Sequence, residues 1–251
     1  MLFRSPTSRS TTLRSKALPI RSTVESAHRF MHQTRVEFEK IAAWLLGRPL
    51  TTADGVPVAK CEAVQQRLGR ALPPPLQAFH CAVGAVPQFT SAFQRFASPD
   101  ECMLRDGKIV FLEENQGVCW WAADVQGRVY QAMDLDAGPW EEESVDLAEF
   151  LRVLLYYQMA QGGYAQCGMR ADAAVSTAAD ADALIAQMNA QRGARPVVDM
   201  SGLRIFAVAE QVLVWYLHDA HDRLDPGLFL SALDPKKFEH WSAQWAFDAL
   251  D

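Results

Sequence analysis

The sequence has little of what marks a membrane or secreted protein. It contains no run approaching the roughly 18 consecutive apolar residues of a membrane span, and no early apolar stretch resembles a secretory signal. We therefore expect a cytoplasmic protein with no membrane partner. Its five cysteines are far apart and include no Cys-x-x-Cys pair, so neither a zinc site nor a disulfide framework is indicated. Reduced and mostly buried thiols are the expectation.

Sequence motifs of common enzyme classes are also missing. The chain has no Gly-x-x-x-x-Gly-Lys loop, no Gly-x-Gly-x-x-Gly, no Gly-x-Ser-x-Gly and no His-Glu-x-x-His. We expect a non-catalytic protein without a cofactor. One alternative is a small metal-assisted hydrolase, because on a helix His218 could share a face with His221 or Asp222 and bind one ion. The opposing interpretation is a hydrophilic turn after a strand that ends at Leu217.

Positive charge is scarce beyond the first 30 residues. The whole chain has a formal net charge of −6. Residues 1–30 carry six basic side chains against the single acid Glu25, a balance of +5, which leaves −11 on residues 31–251. An acidic surface disfavours nucleic acid and attracts a basic partner. We therefore expect a basic protein partner and no direct contact with nucleic acid.

The first 30 residues are rich in Ser, Thr and Arg and poor in large apolar side chains. Such a segment buries too little surface to offset the entropy lost on ordering. Three interpretations are open: a disordered basic tail, an organelle transit peptide, or an extension upstream of a true start at Met31. We favour the misassigned start and expect no structure here in any of the three cases.

A three-stranded antiparallel meander is predicted between Gly107 and Tyr130, with its third run reaching Ala132. Two apolar runs, Ile109–Leu112 and Val118–Ala122, flank a polar connector that ends in glycine, and a second turn leads into the run from Arg128. The neighbours Trp120 and Trp121 must point to opposite faces, since side chains alternate along a strand. One of the two is therefore expected in the core.

Helical patterns surround this meander. Apolar spacing, prolines at starts and glycines at ends predict helices over residues 34–46, 59–68, 73–83, 144–161 and 180–191. Residues 85–106 are expected to be loop and short helix. Residues 202–209 and 211–217 are predicted as a strand pair, followed by a helix-rich tail. With no repeat and no convincing linker, one α+β domain over residues 31–251 is the simplest architecture.

The order of these motifs resembles the SUKH superfamily. The similar part covers about residues 60–160: a proline-started helix closed by Gly84, a phenylalanine-rich loop, the strands on either side of Glu-Glu-Asn-Gln-Gly, and the helix that includes Val145–Leu151. The resemblance implies an α+β fold with a central, curved, largely antiparallel sheet and flanking helices. Many bacterial members are immunity proteins that bind and neutralise toxins, and others are interaction scaffolds. Residues of about 165–251 extend beyond a minimal member.

The acidic stretch after the meander is the predicted docking face for a toxin with a basic surface. Complementary charge accelerates association, and an aromatic side chain often anchors such interfaces. The opposing interpretation is a solvated loop and helix start, as most charge runs are. A general scaffold that binds no toxin is a further alternative. The candidate binding residues are Asp134, Asp136, Trp140, Glu141, Glu142, Glu143, Glu113, Glu114 and Trp121.

Two adjacent carboxylates, Glu113 and Glu114, begin the polar connector between the first two runs of the meander. Adjacent strand residues diverge, so the two cannot act as an acid and base pair on one substrate. In the turn, they could still converge with Asn115 and Gln116 on one ligand. The opposing interpretation is a solvated hairpin turn in which Asn and Gly satisfy the turn geometry.

Overall fold

The computed structural model describes residues 20–136, 138–170, 175–190 and 195–250, with the side chains of the first helix described from Arg29 onward. These residues form an α+β fold with two antiparallel sheets and seven α-helices. The helices are α1 (Ile20–Leu46), α2 (Val58–Leu68), α3 (Pro74–Val83), α4 (Pro87–Thr90), α5 (Leu147–Gln158), α6 (Ala178–Met188) and α7 (Pro235–Trp245). No helix in these ranges combines the length and the apolar character needed to cross a bilayer.

The first helix is longer than its apolar pattern predicts. It was expected from Thr34 but begins at Ile20, so residues 20–30 are helical although we expected no structure over residues 1–30. Residues 1–19 lie outside the described residues. Polar residues extend an existing helix at low cost, because nucleation is already complete, and such an extension leaves no apolar signal.

The third helix follows its prediction, but Gly84 acts differently from a left-handed helix cap. α3 begins at Pro74 and ends at Val83, and Gly84 keeps a right-handed φ of −63°. A Cβ atom at Gly84 would lie 2.6 Å from the carbonyl oxygen of His80. Glycine is therefore required here because the backbone packs too closely for a side chain.

The first sheet contains the predicted meander and three further strands. Its strands are β1 (Arg95–Phe96), β2 (Met103–Arg105), β3 (Lys108–Glu113), β4 (Trp120–Ala123), β5 (Arg128–Ala132) and β6 (Glu141–Asp146). They are ordered β1-β3-β4-β5-β6, and β2 also pairs with β3. The meander is β3, β4 and β5, although β4 begins two residues later than expected, at Trp120. Within the region expected to be loop and short helix, α4 is joined by β1 and β2.

The two tryptophans point to opposite faces, as predicted. Trp121 is 2% exposed, and its ring centroid lies 6.2 Å from that of Phe150 in α5. Trp120 is half-buried on the other face. Trp121 is therefore the core residue of the pair.

Within the acidic stretch of residues 134–149, six residues form a strand where we expected a loop and the start of a helix. Residues 141–146 form β6, which pairs with β5 through Gln131↔Glu141, Tyr130↔Glu142 and Arg128↔Asp146. Helix α5 begins only at Leu147, and the Asp146 side chain accepts a hydrogen bond from the Glu149 N–H as its N-cap. Pairing with β5 has overridden the weak strand propensity of glutamate.

A second sheet is formed entirely by residues after Gly163. Its strands are β7 (Gln166–Arg170), β8 (Val198–Met200), β9 (Leu203–Ala209), β10 (Val212–His218), β11 (Leu224–Ala232) and β12 (Asp248–Ala249), in the order β12-β7-β11-β10-β9-β8. The predicted pair is confirmed as β9 and β10. The tail predicted to be helix-rich instead begins with β11. Apolar runs of this length do not distinguish a buried strand from a helix.

Helices α1, α3 and α5 pack between the two sheets. One buried cluster combines Phe111 of the first sheet, Phe79 and Phe150 of the helices, and Leu213 and Trp215 of the second sheet. A separate cluster lies on the outer face of the second sheet, where α6 and α7 cover Phe206 and Tyr216. The expected single central sheet is therefore two sheets with a helical layer between them.

Candidate functional site: a cleft between the two sheets

The predicted acidic residues separate into two groups in the structure. Asp134, Asp136, Glu141 and Glu142 are exposed, and Asp136 lies 3.8 Å from Arg105 in a solvent-facing ion pair. β6 is an edge strand of its sheet. Acidic side chains on an edge strand also hinder pairing with a further strand. The exposed carboxylates of Glu141 and Glu142 lie on this edge strand and can hinder such pairing there.

Glu143 is the exception, because its carboxylate points inward. Its Oε1 accepts a hydrogen bond of 3.0 Å from Nε1 of Trp121. Burial raises the pKa of Glu143 to about 7, with a smaller contribution from Glu141, while the indole hydrogen bond opposes the shift. The side chain therefore titrates close to neutral pH.

Neither predicted aromatic anchor has a free ring. Trp121 is in the core, and Trp140 is half-buried with Nε1 donating to Asp106 at 3.2 Å. The Nζ of Lys108 lies 5.8 Å from the Trp140 ring centroid. Trp140 thus packs against the β2–β3 hairpin of its own sheet. The structure does not bring it together with Trp121.

Glu113 and Glu114 diverge, as the sequence predicts for adjacent strand residues. Glu113 pairs with Arg95, whose Nε lies 2.8 Å from Oε2. Glu114 turns the other way, and its Oε2 accepts the backbone N–H of Gln116 at 2.7 Å. It forms no ion pair with a described basic residue. Only Glu114 of the two therefore contributes a carboxylate without an opposing cation.

Glu114 lies at a cleft of about 610 Å³ that opens between the two sheets. One wall comes from the first sheet and its β3–β4 connector, including Trp121. The other wall comes from the second sheet, around Leu217. The polar lining residues are Gln94, Glu114, Gln116, Gln131, Tyr157, Gln161, His218, Asp219 and Asp225. Three of these are acids, and none of the described lining residues is lysine or arginine.

A buried glutamine holds the floor of this cleft in place. The Gln158 amide accepts from the N–H groups of Phe93 and Gln94 at 3.0 and 2.8 Å, and it donates to the carbonyls of Phe89 and Gln94 at 3.2 and 2.7 Å. Gln94 in turn accepts the Asn115 N–H at 2.8 Å. This chain of bonds positions the connector that carries Glu114.

Helix α5 ends at the cleft in a π-helical turn, Met159–Gly163. Such turns are rare and occur often at functional sites. Gln161 in the turn lines the cleft and donates to the Tyr157 hydroxyl at 3.1 Å. A Cβ at Gly162 would lie 2.6 Å from the carbonyl oxygen of Ala92, so the two segments meet closely. The sequence predicts a helix end at Gly162-Gly163, but not this close contact.

The His218 segment is a turn, and its two histidines do not share a helix face. β10 ends at His218, and its Nδ1 lies 3.4 Å from Oδ1 of Asp222. The Asp219 carboxylate accepts hydrogen bonds from Arg223 and from the backbone of His221, which lower its pKa to about 2. Within the described ranges, no group of three potential ligands could hold a metal ion. The geometry thus does not favour the metal-assisted hydrolase.

The thiol at the cleft is poorly suited to nucleophilic chemistry. Burial raises the pKa of Cys119 to about 11, and the charges of Glu143 and Glu114 raise it further. The thiolate is the reactive form of cysteine, and it is scarce at neutral pH with such a pKa. What the cleft offers is carboxylate oxygens beside the aromatic rings of Phe93 and Tyr157, an arrangement suited to binding a cation.

Sequence reasoning identified Glu114, Trp121 and His218 but did not connect them. It missed Tyr157, Gln161 and Asp225, which gave no separate signal because their patterns are those of an ordinary helix and turn. Comparison of the chain with models of known families, with curated proteins and with solved structures finds no match.

Proposed function

We propose that this protein is a non-catalytic immunity protein that binds a bacterial toxin through a basic segment and blocks it by occlusion. The observation that carries the proposal is the inter-sheet cleft, where carboxylates meet aromatic rings and no described lining residue is lysine or arginine. In a chain with a net charge of −6, this cleft provides a shaped recess for a cation.

The cleft chemistry favours an arginine side chain of the partner as its occupant. Glu114 and Asp225 form no ion pair with a described basic residue, so each has capacity for a new charge-assisted hydrogen bond. The rings of Phe93 and Tyr157 are 5.6 Å apart in an edge-to-face contact. A planar guanidinium can bond to carboxylates and stack on aromatic rings at once, which a lysine ammonium does less well.

The acidic edge strand supports the approach of the same partner. Glu141 is paired across the ladder with Gln131, a residue that lines the cleft, and Glu142 is exposed beside it. Surface charges of this kind act mainly on the association rate and on orientation. We therefore assign β6 to steering and the cleft to holding the partner.

The resemblance to the SUKH superfamily supports the toxin class of the partner. It covers about residues 60–160, the part that contains the first sheet and α5. An α+β chain with an antiparallel sheet and flanking helices is compatible with membership. The proposal extends to a SUKH-like fold in which the second sheet is an addition.

The test uses the protein encoded by the neighbouring reading frame, since immunity proteins are encoded beside their toxins. Co-expression with the present chain should restore growth, and the two purified proteins should bind. We expect the pair Glu114→Gln and Asp225→Asn to weaken binding at least about tenfold, because each removes a charge-assisted bond worth roughly 1.5–3 kcal/mol. The pair Glu141→Lys and Glu142→Lys should slow association and reduce its salt dependence.

Matched controls separate the site from net charge. Glu239→Gln with Asp248→Asn makes the same charge change as the cleft pair, at exposed positions elsewhere, and should leave binding unchanged. Equal loss in the control pair would remove the cleft from the proposal. Absence of both binding and protection with wild-type protein would refute the toxin assignment.

A further inference from the structure

Two buried cysteines from the neighbouring helices α2 and α3 lie in contact. The sulfur of Cys61 in α2 is 4.0 Å from that of Cys81 in α3. Both thiols are free, and their residues are 2% and 8% exposed. Their pairing has no signal in the sequence, because 20 positions separate them and no cysteine motif is present.

We propose that Cys61 and Cys81 form a reversible disulfide under oxidising conditions, and that this bond fastens α2 to α3. A disulfide needs a sulfur–sulfur distance of about 2.05 Å, so the two atoms must approach by roughly 2 Å. Rotation about the side-chain bonds together with a small movement of α2 supplies this approach.

The other cysteines have different neighbours. Cys119 contacts the carbonyl of Trp120 at 3.9 Å, and Cys167 contacts the hydroxyl of Ser231 at 3.6 Å. Cys102 is fully buried, and its carbonyl accepts a hydrogen bond of 2.7 Å from Arg67 of α2, the helix that carries Cys61. Cys102 is thus the natural competitor for Cys61, and the experiment must distinguish the two pairings.

Access to the thiols comes from the weak attachment of α2. The helix has only two buried residues, Cys61 and Val64. Arg67 ties it to the carbonyls of Pro99 and Cys102 at 2.8 and 2.7 Å. Elements with few buried apolar contacts open locally at low free energy. Opening of α2 exposes both sulfurs without unfolding the two sheets.

Glutathione disulfide is a sufficient oxidant. The Cys81 thiolate attacks one sulfur of glutathione disulfide, which forms a mixed disulfide between Cys81 and that glutathione and releases the other glutathione as a thiolate. The Cys61 thiolate then attacks the Cys81 sulfur and releases the second glutathione. Two protons leave the protein thiols, and two electrons pass to the glutathione pair. The hydrogen bond from Cys61 and the charge of Arg35 lower the pKa of Cys81, which favours it as the first nucleophile.

The cross-link would also affect a groove that lies between α2 and α3. A groove of about 670 Å³ is lined by Val58, Glu62 and Gln65 of α2 and by Pro74 and Gln77 of α3. Closing the disulfide fixes these two walls relative to each other. Oxidation therefore restricts the movement of α2 that would open or reshape the groove.

The test incubates the native protein in glutathione buffers of increasing oxidised fraction, followed by alkylation and peptide mapping. We expect the protein to lose two hydrogens. Peptide mapping should then show one linked pair of peptides, which joins Cys61 to Cys81. The oxidised form should melt at least about 5 °C higher, because the bond closes a loop of roughly 20 residues. Amide exchange in α2 should slow at least about tenfold, and dithiothreitol should reverse every change.

Single variants assign the pairing. Cys61→Ala and Cys81→Ala should each abolish the rise in melting temperature on oxidation, and Cys102→Ala should retain it. If one of the first two variants does not fold, the other and the wild-type peptide map still decide. A Cys61 link to Cys102 overturns the proposal. So does a native protein that stays reduced in a buffer that forms the bond in urea.

Discussion

Replacing Gln158 by methionine should destabilise the protein far more than its volume change suggests. The side chain is fully buried, and its amide makes all four of the hydrogen bonds that it can make to the segment around Phe89 and Gln94. Methionine fits a similar space and keeps helix propensity. The loss in the free energy of unfolding therefore measures the cost of leaving the backbone partners of the Gln158 amide without a hydrogen bond.

The size of this loss depends on which of the backbone groups remain inaccessible to water in the variant. The Phe93 N–H is on a half-buried residue that water can reach, whereas the N–H and C=O of Gln94 and the C=O of Phe89 belong to residues with at most 1% exposure. An unsatisfied buried group costs about 1–3 kcal/mol. Three such groups with partial relaxation give an expected loss of about 3–6 kcal/mol in the free energy of unfolding.

Urea denaturation of wild type and Gln158→Met measures this loss directly, with unchanged slopes as the check on two-state behaviour. Gln161→Met is the matched control. Gln161 is half-buried, and its amide bonds to the Tyr157 hydroxyl where both side chains line the open cleft, so less than about 1 kcal/mol should be lost. A Gln158→Met loss as small as that of the control would refute the account of the cleft floor.

Three further predictions test individual bonds. Because the pKa of Glu143 is raised from 4.5 to about 7, the folded state holds its proton more tightly, so this carboxyl stabilises below pH 4.5 and progressively less toward pH 7. As the pH rises from 4.5 to 7, the melting temperature of Glu143→Gln should therefore rise relative to that of wild type. A difference in melting temperature that stays constant over this range would contradict the raised pKa. Asp146→Ala should cost about 1 kcal/mol by removing the α5 cap, with Asp146→Asn nearly neutral in the same urea titration. Ser231→Ala should cost about 2 kcal/mol in that titration, because Trp215 Nε1 and the Ala160 carbonyl lose their partner; a loss under 0.5 kcal/mol would show replacement by water.

The parts of the fold that sequence predicted are those encoded locally. The meander follows from turn residues such as Gly117 and Gly127, which both have positive φ, and from the alternation at Trp120 and Trp121. β6 was missed because glutamate-rich segments rarely form strands, and only pairing with β5 holds it there. The residues of β6 themselves do not indicate that β5 will pair with them.

The cleft was missed for a related reason. Glu114 and His218 were both singled out, but about 100 positions separate them. Their proximity depends on how two sheets pack on one helical layer. The Gln158 side chain that fixes the floor looks in sequence like an ordinary polar residue of an amphipathic helix. Its importance follows from burial, which appears only when the segment around Phe89 folds over it.

The position of the cleft changes what the family resemblance can explain. Residues 60–160 supply Glu114 and Trp121, but Leu217, His218 and Asp225 come from the second sheet, which lies outside the resemblance. A partner held in the cleft must therefore depend on both parts. If Asp225→Asn weakens binding as much as Glu114→Gln, the additional sheet takes part in recognition. If only the β6 variants have an effect, the partner binds the edge of the first sheet, and the second sheet has a different role.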